Sequence, residues 1–380
     1  MAGLAWAAAL LWLLNLALPW RPWSTRERIE PGALPASVRE PVGVLIPARN
    51  EAGTIARMLA ALRHQAGIAR IVVVDDRSDD DTAAIATSIA AAGPAVRVVN
   101  GSETPASWSG KLWAQQQGLE RLDTPLLLLL DADIELAPGL LDALHEKLLR
   151  EQLDQISIMA ELPAESLPER LMLPAFIYFF KQLYPFAWVN RHDRPFAAAA
   201  GGCVLLRREA LLEAGGFAAW RDCLIDDCEL AARVRARGGR IWLGLSHSVR
   251  SLRRHPDFES VLETVRRTAY IQLHQSPLLL GLVVVLMLLL FALPPLALAV
   301  GLLSGRTGLL AAGAIGWLLM TVAYLPQVRF SRLRPAWALT LPAAAMLFLR
   351  ATIESALRHH FGRGADWKGR RYRNRSTERH

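Results

Sequence analysis

The sequence predicts an α/β fold: a Rossmann-like, mostly parallel sheet with flanking helices, bracketed by N-terminal and C-terminal transmembrane helices. Three observations predict it. Short apolar runs alternate with helical stretches from residue 41 onward, which is the rhythm of strand–helix–strand units. Acidic clusters follow three of those runs, where doubly wound sheets bind ligands. Strongly apolar stretches lie on both sides of this region.

Residues 1–20 carry no charged side chain and are rich in Leu, Ala and Trp, enough to cross a hydrocarbon core of ~30 Å as a helix. A cleaved signal is disfavoured because no Lys or Arg precedes the apolar run. Residues 1–24 are therefore expected to anchor the chain. Arg21, Arg26 and Arg28 follow. By the positive-inside rule they make this an integral inner (plasma) membrane protein whose next domain is cytoplasmic. Residues 25–40 contain Pro31, Gly32 and Pro35 and read as a linker.

Residues 42–46, 71–74, 96–99 and 126–130 read as strands, the last a run of five leucines. Continuous apolar strands of this kind are buried on both faces. Residues 51–64 place Ile55, Met58, Leu59 and Leu62 at helical spacing, and residues 81–92 are also helical. Residues 170–189 crowd Phe176, Tyr178, Phe179, Phe180, Tyr184, Phe186 and Trp188 around Lys181. A core helix and an interfacial segment pressed on the bilayer fit this stretch equally.

Residues 276–353 form a C-terminal membrane region. Residues 277–303 and 309–328 span a bilayer easily and carry no charge, which argues against a transport pathway. Residues 335–349 are short and interrupted by Pro342. A tilted span, a re-entrant piece and an interfacial helix all fit. Residues 354–380 are a basic tail.

The chain is 52% hydrophobic with a formal net charge of +8. Its basic clusters border apolar segments, so the expected partner is a membrane with anionic headgroups, not nucleic acid. Cys203, Cys223 and Cys228 have neither the count for a disulfide framework nor the spacing for zinc.

The chemistry sits after the strands: Pro47-Ala48-Arg49-Asn50-Glu51 after the first, Asp75-Asp76-Arg77-Ser78 after the second, Asp131-Ala132-Asp133 after the fourth. Clustered carboxylates repel one another, so a cation or a hydrogen-bonding ligand is expected among them. If Asp131 and Asp133 share one side of a strand end, they suit Mg²⁺ or Mn²⁺ completed by diphosphate oxygens. Asp226-Asp227 opens a helical stretch. Such a pair caps helices, or supplies a general base whose pKa is raised by burial and by like charge. Gly201-Gly202 and Gly215-Gly216 lie ahead of it and allow close backbone approach or simple turns.

These motifs, in this order over residues 41–270, resemble those of family 2 glycosyltransferases with the GT-A fold. The layout of one leading helix and several trailing ones is most similar to hopene-associated glycosyltransferases, with ceramide glucosyltransferases more distant. The resemblance implies a nucleotide-sugar-binding half at 41–150 and an acceptor and catalytic half at 151–275. It implies donor contacts from Pro47, Arg49, Glu51, Asp75, Asp76, Lys111 and Asp131. It also implies a divalent cation on Asp133 with Asp131, and a base at Asp227 beside Asp226. Acceptor contacts fall to Gly201, Gly202, Arg266 and Arg267. The Arg and Trp that end the processive members' motif are missing after Arg266 and Arg267. That implies transfer of one sugar; with the resemblance and the flanking membrane segments, the expectation is an inverting transfer from a nucleotide-sugar, with a UDP-sugar the preferred donor, to a membrane lipid such as a hopanoid. A polyprenyl-phosphate sugar synthase and a degenerate nucleotide-sugar-binding membrane protein are the alternatives.

Overall fold

The computed structural model describes residues 1–32, 40–91 and 96–361, with backbone alone at 365–367 and 370–372. Of the expected basic tail, residues 362–364, 368–369 and 373–380 lie outside these described residues. The chain divides into two compact units. A helical unit comprises Met1–Thr25, Pro163–Pro185 and Arg254–His380, and a sheet unit comprises Arg26–Leu162 and Phe186–Arg253.

In chain order the first elements are α1 (Ala2–Ala17), β1 (Val42–Ala48), α2 (Ile55–Leu62), β2 (Ile68–Asp75), α3 (Thr82–Ala91) and β3 (Val96–Asn100). Next come α4 (Gly110–Leu119), β4 (Leu126–Leu130), β5 (Ile134–Leu136), α5 (Leu140–Arg150) and β6 (Gln155–Glu161). There follow α6 (Leu167–Leu183), α7 (Phe186–Val189), β7 (Cys203–Arg207), α8 (Arg208–Glu213), α9 (Asp226–Ala236) and β8 (Ile241–Ser251). The remaining helices are α10 (Phe258–Gln272), α11 (Pro277–Met287), α12 (Leu293–Ser304), α13 (Thr307–Phe330) and α14 (Leu341–His360).

The sheet runs β3-β2-β1-β4-β7-β6-β8-β5. β3, β2, β1 and β4 are mutually parallel, as the alternating pattern predicts. β7 is antiparallel to both β4 and β6, and β5 is antiparallel to β8, so the second half is mixed. All five leucines of β4 are buried, which puts that strand mid-sheet. On α4, a Cβ at Gly118 would lie 2.2 Å from Leu45 Cδ1 and 2.9 Å from Val74 Cγ2. Glycine there lets α4 lie flush on β1 and β2, and so fixes the helix that carries Lys111.

The expected linker is partly structured. The Ile29 N–H donates to the Leu245 carbonyl (3.1 Å), and the Leu245 N–H donates to the Glu27 carbonyl (2.8 Å). Glu30 accepts from the His247 N–H (2.7 Å) and the Ser248 hydroxyl (2.6 Å). The open edge of β8 thus captures residues that Pro and Gly alone mark as a linker; residues 33–39 are outside the described residues.

Among the described residues, three helical stretches are long and apolar enough to cross a membrane: Pro277–Ser304, Thr307–Phe330 and Pro335–His360. The expected anchor at 1–24 is shorter. α1 has 16 residues, ~24 Å at 1.5 Å per residue. Pro19 ends it by holding Leu18 in an extended conformation (φ −56°, ψ 128°). α1 lies along α13 through small residues: Ala5 joins Leu309 and Ala312 in one apolar cluster, and Ala9 faces Gly316. Close backbone approach of this kind is how apolar helices pack without a hydrophobic driving force.

Of the two readings of residues 170–189, the core helix fits α6. Tyr178 and Lys181 are buried. Phe179 packs on Phe291 and Phe348, and Tyr178 packs on Tyr324. Ser166 and Glu169 form a capping box that starts the helix.

The stretch after α13 starts and ends beside the same elements. Near the end of α13, Gln327 accepts from Lys181 (3.3 Å). Three residues beyond Lys181, Tyr184 bonds Gln272 at the end of α10. The last turns of α14 return to α10: Arg358 pairs with Glu263 (2.7 Å), and the Tyr270 hydroxyl meets His360 Nε2 (3.0 Å). Between them, the Trp317 indole of mid-α13 donates to the Leu339 carbonyl (3.2 Å). Pro335–His360 therefore has the contacts of a re-entrant hairpin, although its length would allow a full crossing. Cysteines placed at Ser331 and Phe361, in a chain freed of its native cysteines, should react with an impermeant thiol reagent from the same side. Labelling from opposite sides would establish a full crossing.

Candidate active site

The loops after β1 and β2 are knitted together. The Arg49 guanidinium donates to the carbonyls of Asp76 (2.7 Å) and Arg77 (2.8 Å). The Asn50 N–H donates to Ser78 Oγ, and the Asp79 N–H returns a bond to Asn50 Oδ1. Asn50 and Arg77 both hold positive φ, so the interlocked turns carry backbone strain. Asp75 accepts from the Ser78 hydroxyl (2.6 Å) and N–H (3.2 Å). Asp76 is buried, and its N–H bonds the Ala48 carbonyl (2.7 Å). Pro47 lies within β1 opposite Val74. Arg49, Asp75 and Ser78 thus shape the edge, with Glu51 and Asp76 on it.

Asp131 and Asp133 follow β4 in a turn closed by the Ile134 N–H on the Asp131 carbonyl (3.1 Å). The sequence pattern expects them on one side of a strand end; the strand stops at Leu130, and the turn sends their carboxylates to different cations. Lys111 Nζ lies 3.1 Å from Asp131 Oδ1 and 3.4 Å from Asp226 Oδ2. Arg253 Nε lies 2.8 Å from Asp133 Oδ2, and its Nη2 lies 3.2 Å from Glu51 Oε1. Burial opposes the Lys111 charge, but Asp131, Asp226 and Asp227 outweigh it and raise its pKa.

Asp226 and Asp227 begin α9, where the helix dipole favours carboxylates. Asp227 Oδ1 accepts from the Cys228 N–H (2.8 Å). Desolvation, then repulsion from Asp226, push its carboxyl up to about 6, against the opposing pull of Lys111. Gly201 makes room for it: a Cβ there would sit 3.1 Å from both Asp227 Cβ and Oδ2. Gly202 accepts from the Asp131 N–H (3.0 Å), tying the glycine pair to the turn after β4. A small cavity at Asp226 and Asp227 is lined by Gln115, Gly201, Phe217, Trp220 and Leu230. Gln115 is missing from the sequence-predicted set. It lies four residues after Lys111, on the same face of α4, and that spacing could have found it.

The structure therefore brings Glu51, Asp131, Asp133, Lys111, Gly201, Asp226, Asp227 and Arg253 to one region of the sheet unit. Arg266 and Arg267 belong to α10 in the helical unit. Arg266 is buried and clamped by Glu259, Glu263 and Glu354. Its fork is engaged by these three glutamates, and no acceptor contact is assigned to it. The donor set fits a hard divalent cation. That fit lies in the chemistry of the oxygens: Asp131 and Asp133 offer carboxylates, each now on its own cation, and no group of three His, Cys, Asp or Glu side chains gathers to hold a metal among the described residues. Mg²⁺ and Mn²⁺ sites shared with substrate phosphates are of this open kind.

A family model described as "Glycosyltransferase like family 2" matches residues 39–270. A 4,4'-diaponeurosporenoate glycosyltransferase of Staphylococcus haemolyticus is 36% identical over 95 residues, which is 25% of this chain and 24% of that one. Its Staphylococcus aureus counterpart is 35% identical over 91 residues, 24% and 23% of the two chains. The chain thus spans about a quarter of the length of these curated relatives. A mannosyltransferase of Pyrobaculum calidifontis, solved with GDP-Man and Mn²⁺, superposes with a TM-score of 0.55 at 19% identity, covering 93% of this chain and 98% of that one. That likeness is one of fold.

Replacing Lys111 by Met removes the charge that offsets Asp226 repulsion. The Asp227 pKa, already raised, should rise further. If Asp227 serves as a base it must be ionised, so the acid limb of the activity profile should then move from near pH 6 toward neutrality by about one unit, equivalent to ~1.4 kcal/mol. The pH dependence of kcat/KM checks this; an unmoved limb assigns the limb to another group.

Proposed function

The chain belongs to the glycosyltransferase-like family 2, and from that premise we propose that it transfers one sugar, with inversion, from a nucleotide-sugar to the hydroxyl of a membrane lipid. The observation that carries the reading is Asp227: a half-buried carboxylate at a helix start, pushed up to about 6, beside a cavity. A base with a pKa near the working pH is matched to taking a proton from an alcohol. A carboxylate or phosphate acceptor has no such proton to lose at neutral pH. Asp227 therefore favours an alcohol over a polyprenyl phosphate.

In this mechanism Asp227 takes the hydroxyl proton as the acceptor oxygen attacks the anomeric carbon. The bond from that carbon to the diphosphate breaks, and the nucleoside diphosphate leaves with the electron pair. Attack opposite the leaving group inverts the centre. Asp226 keeps Asp227 basic by repulsion, and Lys111 limits that effect. Glu51 and Asp76, held by the knitted loops, are assigned to the base and ribose of a UDP-sugar. Asp133, with Asp131, would hold a divalent cation (Mg²⁺ or Mn²⁺), which when bound offsets charge on the departing diphosphate.

Two features support a lipid acceptor. The chain carries helices long and apolar enough for a membrane. The staphylococcal relatives are named for diaponeurosporenoate, a lipid-related acceptor. A hopanoid alcohol, which the resemblance implies, and a diaponeurosporenoate-type acid, which the relatives' names suggest, are the two acceptors to compare. The domain's placement on the cytoplasmic face of the inner membrane belongs to the same proposal.

Asp227→Asn should keep nucleotide binding and lose transfer to an alcohol by about 10²–10⁴-fold. Near-normal turnover would move the base elsewhere. Purified enzyme in detergent should pass labelled sugar from UDP-sugar to an extracted neutral-lipid fraction. Label found only in water-soluble products would refute the lipid acceptor, and label that alkali releases as an ester would point to an acid acceptor.

A further inference from the structure

Arg253 occupies the strand-end site in a way its assigned neighbours do not explain. Its Nε lies 2.8 Å from Asp133 Oδ2 and its Nη2 3.2 Å from Glu51 Oε1. It therefore bridges the carboxylate assigned to the divalent cation and one assigned to the nucleoside. The two carboxylates are 10% and 11% exposed, whereas the Arg253 side chain is 41% exposed. The acidic partners are walled in and the cation faces solvent. Its backbone is fixed beside the turn: the Leu252 N–H donates to the Asp133 carbonyl (2.7 Å), and Ser251 pairs with Ile134 in the sheet. The guanidinium is thus a side chain that can rotate on an anchored base. Lys111 cannot take its place, because its ammonium already serves Asp131 and Asp226.

We propose that Arg253 is the cation that serves the donor site before the donor binds: it neutralises Asp133 and Glu51 until the donor arrives, then yields Asp133 to the divalent cation and turns onto the diphosphate. The proposal rests on the donor-site reading above. A divalent cation entering alone meets a like charge on its own ligand. A cation entering with a diphosphate brings four or more anionic oxygens, and a planar guanidinium binds phosphate oxygens as well as it binds a carboxylate. Cation and nucleotide should therefore bind with positive coupling, each raising the affinity of the other by the same factor.

The test is Mn²⁺ binding by the full-length protein in detergent, read from the spin-resonance signal of free Mn²⁺, without nucleotide and with saturating UDP or, in parallel, GDP. Wild type should bind Mn²⁺ about tenfold or more tightly with nucleotide than without, within the usual range of coupling between sites. Arg253→Met should bind Mn²⁺ without nucleotide about tenfold more tightly than wild type and lose most of the nucleotide enhancement, a change of ~1.4 kcal/mol. Arg253→Gln should behave the same way and covers the case in which the Met variant fails to fold. Arg253→Lys, still cationic, should stay close to wild type without nucleotide. Folded Met or Gln variants with wild-type Mn²⁺ affinity and wild-type enhancement would overturn the proposal and leave the donor site standing. A wild type that binds no Mn²⁺ with either nucleotide would overturn the metal site and this proposal with it.

Discussion

The site depends on gathering carboxylates that repel one another. Glu51, Asp131, Asp133, Asp226 and Asp227 come from three separate segments to one region of the sheet unit. Two unit charges 4 Å apart at an effective dielectric of about 20 interact by about 4 kcal/mol, so such a cluster cannot assemble without counter-charge. Lys111 and Arg253 provide it by bridging, each touching two carboxylates from different segments. The bridges join α4 to the turn after β4 and to α9, and the end of β8 to the turn after β4 and to the loop after β1. The same ion pairs that make the cluster tolerable also set its geometry, while burial and the neighbouring Asp226 raise the Asp227 carboxyl against the pull of Lys111.

How much of this was legible in the sequence follows from the kind of signal each part leaves. β1, β4 and the Ile71–Asp75 run of β2 were readable because both of their faces are buried, which forces continuous apolar runs such as Leu126 to Leu130; β3, an edge strand buried only in part, was readable from its valines. β6 hides its nature behind Gln155 and Ser157, both buried; Ser157 is kept there by a bond to the Ala200 carbonyl (2.9 Å). β7 is five residues long and runs directly into α8, so neither length nor a turn announces it. The acidic clusters were visible as motifs, yet their pairing with Lys111 and Arg253 depends on contacts between residues far apart in sequence. The surroundings of Arg266 were half legible: Glu259 and Glu263 precede it on its own helix, but Glu354, its third partner, is 88 residues away.

The helical unit illustrates a different limit. Hydropathy finds apolar segments but says nothing about where their ends meet. Small residues decide that here. Gly301 abuts the backbone of Leu310, and Gly313 abuts that of Leu298; a Cβ at either would come within 2.4 Å of a backbone nitrogen. α12 and α13 therefore pack with their backbones nearly touching. The return of α14 to α10 rests on charge and ring contacts at its last turns, beyond the apolar window that a hydropathy scan reads.

Gly201 has a consequence for recognising working members among related chains. Two aspartates at a helix start are common, since any helix accepts them there. What lets this pair reach a cavity is a backbone stretch with no side chain in the way: a Cβ at 201 would press within 3.1 Å of the Asp227 carboxylate. A chain that keeps both aspartates but carries a bulky residue at the position of Gly201 would have the letters of the motif without the room for it. Such a chain has to move Asp227 or its own backbone by a few tenths of an ångström to regain that room, so the residue at this position belongs beside the two aspartates in any judgement of whether they are placed as they are here.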